Sequence, residues 1–332
     1  MMSHSYQPSP FINAAAVEAW DAWFRWRDHG QLRDVSIDAT WQRIAVYLAA
    51  AETDSAGAWT QQILGAMSHW QLMLDERLLS TLGTGRGAVI DDPAAVLNAA
   101  AFVSAGDSTE VEFHFDTLRE VAGLAVRCLD NAAILLPAAS LSQDVYIGLI
   151  GVADALALLA TPFDSAAGRA FAAEMARALA EGCLAANIQL AAQRGAQSVC
   201  DGALLDLLHR RAMPATLLAL ANQHGLRYRK LTAITAHPRL ALFANNVADA
   251  LDPMPQRATK SNARSEVSHT PVSASIEAQV ELRGALQPWI DASIKYPIWV
   301  PHLPDPSSIS RYRRLAATHD LGELCWRVGA TR

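Results

Sequence analysis

The sequence predicts a helix-dominated α/β fold, and three observations carry that expectation. Apolar residues recur at helical spacing from Trp20 to Trp70. Short apolar runs at 145–151 and 231–236 are each flanked by helical stretches, and strands alternating with helices build α/β layers. A long Ala-rich stretch begins at Phe163 and ends at Gly195, a residue suited to stop a helix.

The elements follow in order. Residues 19–28, AWDAWFRWRD, space three tryptophans by three, as an aromatic stripe docking one helix on the next two would. Asp38 is placed to cap a helix carrying Trp41, Ile44, Ala45 and Leu48 on one face. A second helix presents Trp59, Ile63, Met67 and Trp70. Gly83-Thr84-Gly85-Arg86-Gly87 breaks the pattern; no clear strand precedes it, so it reads as a connecting loop. Asp116 is placed to cap a helix through Leu118, Val121, Leu124 and Cys128. Val145 to Gly151 reads as a buried strand leading into a helix, and Asp164 or Ser165 starts the long Ala-rich helix. Pro214 opens a helix that stops near Gly225, and Leu231 to Ala236 is a second short strand. Residues 254–274, rich in Ser, Thr, Pro and charge, read as a flexible linker. Ile276 to Ile294 follows as an amphipathic helix. Then come an extended stretch from Tyr296 to Leu303, a helix capped by Ser307 or Ser308, and a last strand at Cys325–Val328. This organisation divides the chain into a helical segment 1–87, an α/β part 88–253, the linker 254–274 and a closing part 275–332.

Composition narrows the function. With 332 residues, 51% hydrophobic and 18% charged, the chain can bury a sizeable core. A net charge of −6 gives no footprint for nucleic acid. No apolar run reaches the roughly 18–20 residues of a membrane span, and no signal peptide opens the chain, so a cytoplasmic protein is expected. The four cysteines, Cys128, Cys183, Cys200 and Cys325, form no CxxC pair and no zinc-ligand spacing, so they predict no metal site. Their apolar neighbours read as buried, reduced thiols. Asp91-Asp92-Pro93 reads as an acidic turn, and His209-Arg210-Arg211 as a complement to a helix dipole. Arg227, Arg229 and Lys230 read as a solvated basic cluster.

Seven segments, in order, resemble the large (catalytic) subunit of ribonucleotide reductase, nearest its adenosylcobalamin-dependent class. They are AWDAWFRWRD with DATWQRIA (38–45), LDERLLSTLGTGRG (74–87), LNAAAFV (97–103), LREVAGLAVRCLDN (118–131), IGLIGVADAL (147–156), FDSAAGRAFAAEMA (163–176), and AQVELRGALQPWIDASI (278–294) followed by Pro301-His302-Leu303-Pro304. The resemblance implies an N-terminal helical domain followed by the second half of a reductase-type α/β barrel. Half a barrel has a strand edge to cover, by its own chain or by an oligomer.

The resemblance also shows what is changed. Members carry a radical cysteine in a pattern like NPCGE and two redox cysteines, a chemistry that needs sulfur. Counting along the chain, the radical cysteine falls near Thr81, its paired Glu near Gly83 and the second redox cysteine near Asp92. No Asn-x-Cys-x-Glu pattern occurs in the sequence, so no catalytic residue is assigned. The family's phosphate loop, IAPTGTIS, counts back from Asp252-Pro253 onto Thr235–Leu242, which places His237, Pro238, Arg239 and Leu240 in it. Arg239 stands where a glycine lets the backbone approach phosphate; it offers a guanidinium instead. The Cys-bearing tail of active members has no counterpart after Cys325.

Three functions fit this reading. The first is a non-catalytic large-subunit-like protein that binds the full-length reductase, or a nucleotide, and needs no cofactor itself. The second is one component of a split cobalamin-dependent ribonucleoside-diphosphate reductase, bound to a complementary subunit. The third is a repurposed small-molecule binder or enzyme using the cleft near Arg239.

Overall fold

The structure is a computed structural model that describes residues 11–87, 91–105, 111–136, 144–253 and 274–328. Helix α1 (Ala14–Ala19) is capped by Asn13 and runs into a π turn at Trp20–Phe24, closed by Arg25 N donating to Trp20 O at 2.9 Å. This wide turn breaks the expected stripe. Trp20 and Phe24 are buried, whereas Trp23 turns to solvent and Trp26 lies beyond the helix. A small hairpin, β1 (Arg27–Asp28) and β2 (Gln31–Leu32), turns at Gly30. Helices α2 (Ile37–Ala49) and α3 (Ala56–Ser68) bury Trp41, Ile44, Leu48, Ile63 and Met67, as their spacing predicts. The cap of α2 is Ser36; Asp38 sits within the first turn, where its charge favours the positive end of the helix.

Trp70, at φ 59, ends the helical run and starts β3 (Leu72–Leu74), a strand absent from the sequence expectation. After α4 (Glu76–Thr81) the chain forms β4 (Ala94–Asn98) and the hairpin of β5 (Val103–Ala105) and β6 (Val111–Phe113). Helix α5 (Phe115–Leu135) follows, with no side-chain cap and Asp116 in its first turn. Then come β7 (Asp144–Ile150), α6 (Val152–Leu158) and α7 (Ala166–Arg194), the last capped by Ser165 and stopped at Gly195 with φ 91. Helices α8 (Gly202–Arg210) and α9 (Ala215–His224) lead to β8 (Lys230–Thr232), shorter than expected, and α10 (Pro238–Phe243). The expected linker lies outside the described residues, apart from Ala274. Helix α11 (Ile276–Leu286) stops well before Ile294 because Pro288 has no N–H to continue it; a short 3₁₀ turn replaces the missing turns. Strand β9 (Ile298–Val300), α12 (Pro306–Ala317) and β10 (Trp326–Val328) close the chain. The cap of α12 is Asp305 rather than a serine, with its carboxylate accepting from Ser307 N and Ser308 N.

The main sheet has the order β3-β4-β7-β8, with β4, β7 and β8 parallel and β3 antiparallel at one edge. One core runs from the first helices through this sheet to α11 and β9. Strand β3 lies fully buried, packed by α3, α4 and α5. The β8 edge is met by Asp291 and Ala292 of the same chain. Both edges are thus covered internally. Helices α5 and α7 cross closely through Gly123 and Gly182: a methyl group on Gly182 would strike the Arg119 carbonyl, whose carbon lies 2.8 Å away.

A buried ionic network ties these helices together. Asp130, on α5, is fully buried. It accepts from Tyr228 OH at 2.6 Å, Arg227 Nε at 2.9 Å and Arg194 Nη1 at 2.5 Å. Arg227 is therefore no solvated cation. Nearby, Glu52 accepts from Arg127 Nε at 2.7 Å and Asn131 Nδ2 at 2.8 Å, with Arg194 Nη2 at 3.0 Å. Arg127 stacks over Trp59. Burial opposes the charge on Glu52, but Arg127, Asn131 and Arg194 outweigh it and hold its pKa down from 4.5 to about 2. Burial likewise opposes the charge on Asp130, and Tyr228, Arg227 and Arg194 still hold it low. A depressed folded pKa stabilises above the unfolded value, and that contribution disappears as pH falls through the folded one. The urea midpoint should therefore hold down to about pH 4.5 and fall steeply from there towards pH 2. A Glu52→Gln variant, less stable at neutral pH, should show a shallower fall in the same titration.

Candidate functional site

The parallel strands β4, β7 and β8 end on one side of the sheet, the side where α/β folds gather functional loops. Asn98 ends β4 and its Oδ1 accepts from Ala100 N at 3.2 Å. Gly151 follows β7 at φ 68, and a Cβ there would lie 2.6 Å from Asn98 Oδ1, so glycine serves both the turn and the close approach. Gly151 N donates to Ala248 O at 2.8 Å, and Ala248 N to Asp154 Oδ2 at 2.6 Å. These bonds lay the segment 245–252 across the end of β7.

The four sequence-assigned residues sit together at the turn after β8. His237 is the N-cap of α10, Pro238 its first residue, and Leu240 is fully buried. His237 N donates to Asp249 Oδ1 at 2.6 Å. The imidazole Nε2 lies 2.8 Å from Thr235 Oγ1. Burial pushes the His237 pKa down, against the pull of Asp75 and Glu76. Asp249 accepts from the His237 backbone, not from its ring, so the three groups do not form a relay that would activate the Thr235 hydroxyl. Arg239 donates to Glu76 Oε2 at 2.9 Å, and its guanidinium lies 5.1 Å over the Trp23 ring. The cation offered to an anion by the sequence is already matched by a carboxylate.

Sequence reasoning missed Asp249 and Glu76. Asp249 is 4% exposed, and its Oδ2 has no partner among the described residues. Burial pushes its pKa up, against the His237 N–H and Arg327. Nothing in the local sequence marks it; only the fold brings it beneath His237.

The cysteines are placed elsewhere. Cys128 on α5 and Cys183 on α7 are fully buried, and desolvation raises both thiols above their ordinary range. Cys200 is partly buried and also raised; Cys325 is exposed. Thr81, at the end of α4, donates its hydroxyl to Arg77 O at 2.6 Å, Gly83 turns at φ 71, and Asp92 at φ 53. Among the described residues no group of three or more His, Cys, Asp or Glu side chains is arranged to hold a metal, and no helix is long and apolar enough to cross a membrane.

A family model described as ribonucleotide reductase, barrel domain, matches residues 94–270, more than half of the chain. The chain belongs to the ribonucleotide reductase large-subunit family. No curated protein matches it. The matched region of this reductase-like chain opens at the first residue of β4 and takes in β7, β8, α10 and Asp249, so the turn at His237–Leu240 lies inside the reductase barrel region. The same region holds Asp130 and its partners Arg194, Arg227 and Tyr228. The segment LREVAGLAVRCLDN, residues 118–131, is thus a structural anchor here.

Proposed function

We propose that this reductase-like chain is a non-catalytic large-subunit relative that acts by binding a genuine reductase. The observation that carries the reading is the closed turn at Thr235–Leu240. Its backbone is held by Asp249, Leu240 is in the core, and Arg239 is engaged by Glu76 and Trp23. Phosphate binding by backbone amides needs an open, glycine-lined approach, and Pro238 and Arg239 do not supply one. Two thiols raised by burial add support, since the thiolate is the redox-active form of cysteine. A kept scaffold without a matching site is suited to an interaction role.

The test mixes the purified chain with a complete cobalamin-dependent large subunit. Co-elution, with a changed rate of nucleotide reduction by that enzyme, is the expected result. Nucleoside diphosphates and triphosphates are screened in parallel by thermal shift; a shift would assign a nucleotide-binding role to the scaffold instead. Neither co-elution nor a shift would leave the interaction role without support. Deoxynucleotide formation by the chain alone, with adenosylcobalamin and a reductant, would refute its non-catalytic character.

A further inference from the structure

Strand β8 is the last in its sheet, so one side of it has no partner strand. In a parallel ladder, a residue's N–H and C=O point the same way, and successive residues face opposite neighbours. Ala233 N donates to Ile147 O of β7 at 3.1 Å, so Thr232 faces outward. Both of its outward groups are taken by a segment that is not a strand. Thr232 N donates to Asp291 Oδ2 at 3.2 Å, and Ala292 N donates to Thr232 O at 3.0 Å. Asp291 Oδ2 also accepts from Leu231 N at 2.9 Å, an amide that departs from strict alternation where the β7–β8 register is irregular, between the Asp144–Lys230 and Ile147–Thr232 pairs, and Asp291 N donates to Thr232 Oγ1 at 2.9 Å. Arg211 fixes this carboxylate from behind. Its Nη1 donates to Asp291 Oδ1 at 2.7 Å and its Nε to Pro288 O at 2.6 Å, a role the reading of His209–Arg211 as a dipole complement did not include.

One carboxylate and one amide thus supply the bonds that a neighbouring strand would make. The segment is placed for this by the early end of α11 at Pro288. Its inner face is not packed solid: Asp291, Arg211 and Thr232 border a cavity of about 30 Å³ whose other walls include Leu184 and Leu208. An open strand edge is a template for another chain, and proteins block such edges with charge or a covering loop.

We propose that Trp289–Ala292 is an edge strap whose hold on Leu231 and Thr232 keeps β8 from pairing with β8 of a second copy of this chain. The second copy is the fitting partner because an edge strand can pair antiparallel with itself across a two-fold axis, each edge meeting an identical one. The proposal is independent of any reductase partner.

Amide hydrogen exchange and light scattering test it on the full chain. The wild type should be monomeric, with slow exchange at Leu231 and Thr232. Asp291→Ala should speed exchange at those two amides about tenfold or more, as expected for loss of a charged acceptor. The Leu149 amide of β7 should keep its wild-type rate. The same variant should form dimers whose population rises with concentration. Asp291→Asn keeps one acceptor oxygen and should remain monomeric, with exchange between the two. Should Asp291→Ala fail to fold, Ala292→Pro removes the amide that bonds Thr232 O and should produce the same dimers. A dimeric wild type, unchanged exchange in Asp291→Ala, or a folded strap variant that stays monomeric at every concentration would overturn the proposal.

Discussion

Asp130→Ala should lower the unfolding free energy by about 3–5 kcal/mol, the usual cost of breaking a buried ion pair from one side. The magnitude follows from what is left behind. Arg227 keeps its charge and Tyr228 its hydroxyl without the carboxylate that compensates their burial, and Arg194 is left with the Glu52 carboxylate. Those partners come from the end of α7 and from the approach to β8, so the loss should loosen the sheet's last strand as well as α5. Equilibrium urea unfolding measures it. Asp130→Asn keeps an acceptor and removes the charge; it should fall between the wild type and alanine. A loss below about 1 kcal/mol for alanine, the scale of an exposed pair, would show that the network is not a structural anchor.

The second large effect is expected at Arg283. This side chain is 1% exposed and meets Asp252, itself 2% exposed, through two hydrogen bonds of 2.9 and 2.5 Å. It also donates to the carbonyls of Gln279, Tyr296 and Pro297, joining α11 to the chain on both sides of it. Arg283→Ala should cost about 3–5 kcal/mol because Asp252 is then buried alone. The double variant Arg283→Met with Asp252→Leu should recover part of that loss, since a well-packed apolar pair can replace a buried ionic one. Incomplete recovery is expected, because the three carbonyls stay without their donor. A double variant no more stable than Arg283→Ala would show that Asp252 is not the source of the cost.

Much of the helical frame was legible because helix is written locally. The spacing of Trp41, Ile44 and Leu48, the run at 145–151, and the stop at Gly195 each predicted an element that the fold contains. Caps were less legible, since Ser36 and Asp38, or Asp305 and Ser307, lie within one turn and only geometry decides which side chain reaches the free N–H groups. Strand β3 was hidden by its neighbours: Trp70 continues the helical spacing of Ile63 and Met67, and three residues are too few to show alternation. Arg227 read as surface charge because its partner Asp130 lies 97 positions away. The site was legible as a place and not as an arrangement. Counting back from Asp252 located His237–Leu240, but Glu76 comes from α4 and Asp249 from the far side of α10, and neither pairing has a local signature.

The rings that gather around Phe243 give the chain an optical reporter. Phe11, Phe24, Trp41 and Trp70 all lie within 6.3 Å of that ring, centroid to centroid, so two indoles from α2 and the end of α3 share a dry pocket with a residue of α10. The emission of those two indoles, among the chain's nine tryptophans, samples the seam between the first helices and the helix that follows the His237 turn. Any event that parts this seam admits water to both chromophores and shifts their emission to the red, with no label attached.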